Sequence, residues 1–328
     1  MRSSKKTLLI TSGIAVAGMS VSLVTSHMIT ATLIKVALHR NAPDVVGKMR
    51  NKLSRSPKTK EAMELLQTCA ERLEDHVSEQ VEIVSRDGER LIGHWYPCPN
   101  AKRILIAMHG WRSSWSKDFG GISTFWHDRE CSVLYAEQRG QNNSGGDYMT
   151  FGLKERYDCL DWVNWAIEQS KGELPIYLCG ISMGASTVLM ASGLPMPDAV
   201  HGIIADCGFT SPHAIWRHVV KNNLHLTYRA REKAINAFYQ KNFQARIGEL
   251  STVQALEKNK IPVLFVHGAA DRFVPIEMTY QNYVACHAPK RLLVVPDARH
   301  GMSYFIDKEA YERVTDDFWR DFDQIVPK

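Results

Sequence analysis

The sequence predicts an α/β fold, a mainly parallel sheet flanked by helices, and three observations carry that expectation. Short apolar runs alternate with helix-forming stretches from residue 103 almost to the end of the chain. Two of these runs end in His-Gly, at His109-Gly110 and His267-Gly268. A third, Leu174–Cys179, passes directly into Gly180-Ile181-Ser182-Met183-Gly184 and then into a helix former. That last order is strand, sharp turn, helix, with a serine at the apex. A length of 328 residues with 45% hydrophobic content suffices for one large core plus an insertion.

The chain opens with Arg2, Lys5 and Lys6, then an apolar run from Thr7 that meets no charge until Lys35. Such a run is long enough to cross a hydrocarbon core of ~30 Å. Residues 1–36 are therefore expected to form an N-terminal transmembrane helix, a single-pass anchor in the cell membrane. Cleavage at Ala15-Val16-Ala17, as in a secretory signal, and a merely buried helix are the alternatives. Residues 37–78 read as a basic juxtamembrane segment: Lys48, Arg50, Lys52, Arg55, Lys58 and Lys60 suit an anionic surface or a solvated helix face. Residues 1–60 hold eleven Lys/Arg and one acid, a net +10 against +5 for the whole chain, so residues 61–328 carry −5. The body is thus a poor fit to nucleic acid. By charge alone the positive-inside rule keeps that body cytoplasmic.

The elements follow in order. Glu61–His76 has the pattern of an amphipathic helix, and Glu79–Arg86 with Glu89–Pro97 that of a hairpin turning at Asp87-Gly88. Strands are expected near Arg103–His109, Ser132–Glu137, Pro175–Cys179, Gly202–Asp206, Pro262–His267 and Leu292–Val295. Helices are expected near Trp115–Arg129, Leu153–Gln169, Met183–Ser192, Pro275–Cys286 and Lys308–Asp323. The alternation breaks over 209–260, where Ile215–Leu226, Tyr228–Asn242 and Ser251–Lys258 are helix formers with no strand between them. Between Phe209 and Lys260 stand eight Lys/Arg and three acids, a basic insertion facing a membrane, an anionic substrate or simply water. The domain reading is an anchor over 1–36, a juxtamembrane segment over 37–78 and an α/β domain over 79–328.

Glycine at 180 and 184 lets strand and helix approach closely around Ser182, whose hydroxyl is then exposed on a strained turn. A nucleophilic serine needs a base, and the base needs an orienting carboxylate. Asp271 leaves the strand ending at His267, and His300 follows the strand near Leu292–Val295. All three side chains lie at the carboxyl ends of strands, where parallel sheets place their sites. Asp206 also ends a strand and is an alternative acid, while Ser182 as a plain turn serine is the bland alternative. Asp297 is too near His300 along one loop; His109, His267, Arg139 and Arg272 read as structural. The histidines and seven cysteines show no zinc spacing and no disulfide framework, so neither a metal nor a cofactor is expected.

Ser, Asp, His is the chain order of the α/β-hydrolases, and residues 79–326 resemble a serine hydrolase of that superfamily, so the fold class expected is the α/β-hydrolase fold. The resemblance is to membrane-anchored bacterial hydrolases grouped with small-ester and cinnamoyl-type esterases. Ile104–Trp111 matches the strand and His-Gly-aromatic turn of that family. Tyr135–Gly145 resembles its Asp-x-Arg-Gly-x-Gly-x-Ser loop with Glu137 where Asp is usual, and His267–Pro275 matches its acid loop. The likeness implies a Ser182–Asp271–His300 triad, an oxyanion hole from the Trp111 and Met183 amides, and a lid over 209–260. It also implies a catalytic body outside the cytoplasm and a small ester or acyl substrate. Phe209, Trp216, Phe273 and Met302 are candidates to line an apolar pocket. A serine peptidase on the same scaffold, aminopeptidase-like, is the second reading. Ala185 and the short insertion argue against the prolyl oligopeptidase form, which carries a second glycine there and a large propeller. A non-catalytic, membrane-tethered binding protein is the third reading.

Overall fold

The structure is a computed structural model that describes residues 25–42, 57–76 and 79–323. Eight strands form one sheet in the order β1-β2-β4-β3-β5-β6-β7-β8. They are β1 (Glu79–Val84), β2 (Arg90–Tyr96), β3 (Arg103–Met108), β4 (Cys131–Ala136), β5 (Ile176–Ile181), β6 (Val200–Asp206), β7 (Val263–Gly268) and β8 (Lys290–Val295). β1–β2 and β2–β4 pair antiparallel, and every other neighbour pair is parallel. The hairpin and all six expected strands stand where the apolar runs placed them, within a few residues.

Every residue of β3, β4 and β7 is buried, because helices cover both faces of the sheet. Alternation along β3 sends Ile104, Ile106 and Met108 into one core, with Trp162, Leu178 and Val188. Leu105 and Ala107 enter the other, with Tyr135, Tyr177, Phe318 and Trp319. The covering helices are α5 (Glu155–Ser170), α6 (Met183–Ala191), α10 (Ile276–Ala285) and α12 (Lys308–Phe322), joined by the short α11 (Ser303–Ile306).

Three local results differ from the sequence reading. The helix expected over Trp115–Arg129 is two, α3 (Trp115–Phe119) and α4 (Ser123–Asp128), broken at Gly120-Gly121. Glycine at 120 has a steric cause: α2 (Pro57–His76) crosses α3 so closely that a β-carbon there would lie 2.5 Å from the Cys69 carbonyl oxygen. Second, the boundary expected at residue 79 marks where the sheet begins, not where packing begins. Cys69, Ala70 and Leu73 are buried, Arg72 donates to the Gly120 carbonyl at 2.9 Å, and Glu74 accepts from Ser116 at 2.5 Å. Third, helix α1 (residues 25–38) buries Ile34 and Leu38 in a third apolar cluster. That cluster is shared with the insertion's α7 (Pro212–His218), a π turn over Val219–Asn223 and α8 (Arg229–Phe243), whereas α9 (Thr252–Leu256) sends Leu256 into the first core.

The expected anchor over 1–36 lies mostly outside the described residues, as do Ala15–Ala17 and Lys48–Arg55. Among the described residues no helix is long and apolar enough to cross a membrane.

Gly120→Ala is expected to cost about 1–3 kcal/mol, the usual penalty for overpacking, by forcing α2 away from α3. Thermal melts of the full chain measure this; an unchanged midpoint would show that the two helices do not depend on each other.

Candidate active site

The crossing of β5 and α6 fixes the geometry. A β-carbon on Gly184 would stand 1.7 Å from the Met108 carbonyl oxygen, and one on Gly180 would meet the Gly184 carbonyl at 2.4 Å. Neither approach tolerates a side chain, so glycine at both positions is a steric requirement. Between them Ser182 takes φ 56°, ψ −114°, a conformation unfavourable for any residue with a β-carbon. Its amide is tied to the Asp206 carbonyl at 2.9 Å, which holds the turn against the end of β6.

Three side chains distant in sequence meet there. Ser182 Oγ lies 2.8 Å from His300 Nε2, and His300 Nδ1 lies 2.6 Å from Asp271 Oδ2. With a neutral imidazole, Nδ1–H donates to the carboxylate and Nε2 accepts from the hydroxyl. The other oxygen, Asp271 Oδ1, accepts from the Phe273 and Val274 amides at 2.8 and 3.0 Å. His267, fully buried, approaches Oδ2 at 3.3 Å and donates to the Val274 carbonyl, while its Nδ1 faces Thr279 Oγ1 at 2.7 Å. Burial alone would raise the Asp271 carboxyl, but the hydrogen bonds from His267 and His300 prevail and hold it well below the usual carboxylate range.

Asp206, the alternative acid, does not touch His300. Its carboxyl is fully buried and accepts from Ser303 Oγ at 3.2 Å, and burial pushes its pKa up despite His267 nearby. His109 is structural: its Nε2 accepts from the Gln138 amide at 3.1 Å, and burial lowers its pKa. Arg139 is spent on scaffold, with Nε and Nη2 on Asp158 at 2.6 and 2.5 Å and two bonds of 2.9 Å to Asp87. The departure at Glu137 has a local reason. Its longer side chain reaches the Asn143 amide at 2.6 Å and His94 at 2.8 Å, pinning the loop from both sides.

The two amides expected to form the oxyanion hole belong to Met183 and Trp111. Met183 N–H sits at the first position of α6, where no intrahelical acceptor exists. Gly110 lies against the serine, since a β-carbon on it would be 3.3 Å from Ser182 Cβ. The amides on either side of Trp111 are engaged: Gly110 N–H donates to Asp118 Oδ2 and Arg112 N–H to Gln141 Oε1, both at 2.6 Å. Asp118 and Gln141 therefore set the loop, and sequence reading missed both because a lone polar residue after a turn carries no pattern.

The four candidate pocket residues divide. Phe273 is half-buried with its ring 5.1 Å from that of His300, and Met302, also half-buried, follows His300 by two residues. Phe209 and Trp216 are instead 2% and 5% exposed, packed around Phe151 at ring distances of 5.9 and 6.4 Å. In the described conformation they are core, not open pocket wall. Phe151, on a backbone at φ 58°, went unnoticed in the sequence.

Among the described residues there is one metal-like donor set: Cys207, Asp271 and His300 offer ligand atoms within 4.8 Å of one another. It does not fit an ion. Burial drives the Cys207 thiol well above its ordinary value and so keeps it protonated. Asp271 Oδ2 and both His300 nitrogens are already committed to the hydrogen-bonded line.

Known proteins share this arrangement of strands. The fold superposes on the Pyrococcus furiosus esterase Pf2001 with a TM-score of 0.62 at 21% identity, covering 75% of this chain and 93% of that one. It superposes on the Pyrococcus horikoshii acylaminoacyl peptidase with a TM-score of 0.56 at 15% identity, covering 76% and 42%. In sequence the chain is 28% identical to YqkD of Bacillus subtilis over 193 residues, 57% of this chain and 61% of that protein, less than two thirds of its length. It is 25% identical to YfhR of Escherichia coli K12 over 68% of this chain and 73% of that one. The prolyl oligopeptidase family model matches residues 117–322. Ala185 had weighed against that family, yet its methyl is accommodated because Gly208 faces it; a β-carbon there would come within 3.1 Å. With well over half of its length matched, the chain belongs to the prolyl oligopeptidase family.

Proposed function

We propose that this serine hydrolase opens carboxylic esters through an acyl-enzyme formed on Ser182. The single observation that supports the reading is the unbroken line Asp271–His300–Ser182 with both spacings at hydrogen-bond length. His300 Nε2 takes the Ser182 proton as Oγ bonds to the ester carbonyl carbon. The imidazolium that results keeps its Nδ1–H on Asp271, whose depressed pKa keeps it an acceptor throughout. The carbonyl oxygen gains negative charge and turns to the Met183 and Trp111 amides; losing one such donor typically costs about 10²–10³ in rate. His300 then protonates the departing alcohol, and water repeats the sequence to release the acid. No cofactor enters this reading. We also propose a membrane tether, from the apolar run of residues 1–36, with the body outside the cytoplasm, an orientation that rests on the family resemblance and runs against charge alone.

Family membership favours a second reading, amide cleavage. The same residues serve it, with His300 protonating an amine in place of an alcohol. The named activity of the Pyrococcus horikoshii relative, an acylaminoacyl peptidase, points the same way.

Ser182→Ala and His300→Ala are each expected to lower turnover of p-nitrophenyl butyrate by about 10⁴-fold or more, with circular dichroism unchanged. Retained turnover in either purified variant removes the assignment. A panel pairing acyl esters of graded length with aminoacyl and acylaminoacyl anilides separates the readings: esters are expected to win, and kcat/KM higher for an anilide would install the peptidase.

Acid stability offers a check that does not need the substrate. A carboxyl whose folded pKa lies below its ordinary 3.8 stabilises the fold above that value and loses the contribution as pH falls toward the folded one. Wild-type stability is therefore expected to fall more steeply than that of Asp271→Asn between about pH 5 and pH 2. Parallel curves from denaturant melts would contradict the hydrogen-bonded carboxylate.

A further inference from the structure

Away from the serine, the insertion carries an open groove of about 680 Å³. Arg217 and Lys221, one helical turn apart, form one wall, and Arg229 with His225 contributes another. The three cations form no ion pair among the described residues. The one acid in the lining, Glu232, is occupied by His213 at 3.2 Å. Glu232 is thus the single acid set against three permanent positive charges in the lining.

Two buried groups point to the same vacancy in the chemistry. Tyr228 lines the groove with only 8% of its surface exposed, its ring set edge-on to His213 at 5.5 Å, and its hydroxyl has no hydrogen-bond partner. Burial and Glu232 push the phenol up while Arg217 pulls it down, so these charges act on one oxygen. Behind it Arg231 is 6% exposed; its Nη1 donates to the carbonyl of Thr227, another lining residue, and its Nε has no partner. A buried hydroxyl with no acceptor on the groove's wall is costly unless a ligand supplies one, and the partnerless Nε of Arg231, three residues on, is a second buried donor.

We propose that this groove binds a phosphoryl group, as a phosphate monoester or a phospholipid headgroup. Three cations against one acid leave a net of two positive charges, which matches a dianion better than a single carboxylate, and the phosphoryl oxygens supply the several acceptors that guanidinium, ammonium and phenol donors require. The groove belongs to the elements that also reach the active site: His218 Nε2 and Asn223 Nδ2 lie 3.4 and 3.5 Å from the Arg272 carbonyl, one residue after Asp271. The inference stands apart from the esterase reading, since its readout is binding.

The test uses the full chain in mild detergent. Calorimetry with inorganic phosphate forms one arm; sedimentation with phosphatidylcholine vesicles, with and without phosphatidylglycerol, forms the other. The Arg217→Gln/Lys221→Gln/Arg229→Gln variant is expected to lose binding at least tenfold relative to wild type, and Tyr228→Phe to weaken it by about tenfold. A groove-dependent loss in the phosphate arm assigns a soluble phosphate ester, and one confined to the phosphatidylglycerol arm assigns a lipid headgroup. Basic residues near the N-terminus contribute equally to all proteins, so only the difference between wild type and variant counts. Should the triple variant melt early, Tyr228→Phe alone decides. Wild type and variants behaving alike in both arms overturns the proposal.

Discussion

The whole site depends on one contact, the passage of Gly184 over the Met108 carbonyl. Helix α6 can start directly after β5 only because no side chain separates it from β3. That proximity forces Ser182 into its unfavourable backbone conformation and turns its hydroxyl toward His300. It also makes Met183 the first residue of the helix, directly after the serine. A looser crossing would relax the serine and lose both effects together. The strain at Ser182 is sustained by the buried sheet around it, where β3, β4 and β7 admit no water along their length.

Electrostatics complete what sterics begin. Asp271 is taken out of water, which by itself favours the neutral acid, yet two amides and two imidazoles converge on its oxygens and keep it charged. The buried Asp206 nearby has one hydroxyl for company and moves the opposite way. Two carboxylates at neighbouring strand ends thus differ in behaviour because Asp206 is the more deeply buried and has fewer donors to offset that burial. His300 is fixed by the first, so its ring presents Nε2 to the serine with no reorientation.

Much of this was legible in the residues. Gly180, Ser182 and Gly184 announce the turn because only glycine survives that approach, and Asp271 and His300 follow strands whose apolar runs are unambiguous. Backbone-dominated features are readable for that reason. Where chain packing decided, the sequence was mute. Nothing in Gly120-Gly121 distinguishes a helix break from a weak helix until α2 is seen lying across it. Phe209 and Trp216 carry the same apolar signal whether they line a cavity or fill one, and the neighbour that fills it, Phe151, comes from a loop 58 residues before Phe209. The support of Trp111 by Asp118 and Gln141 rests on single hydrogen bonds between segments, which leave no periodicity to detect.

The last turn of α1 and the residues just after it are bound to the loop that follows β3. The Trp111 indole donates to the Ala37 carbonyl at 2.7 Å, and the Arg112 guanidinium to the Val36 and His39 carbonyls. Arg40 in turn donates to the Gly146 and Asn142 carbonyls, and the Met149 amide to that of Leu38. Residues 36–40 thereby act as a splint across two catalytic-face loops. A shortened protein begun at Glu61, convenient for handling because it sheds the apolar run, would also shed that splint. Such a reagent would uncover Met149 and strip acceptors from Trp111 and Arg112. Its kinetics would report a repaired or collapsed entrance in place of the native one, so preparations that keep α1 are the proper reference.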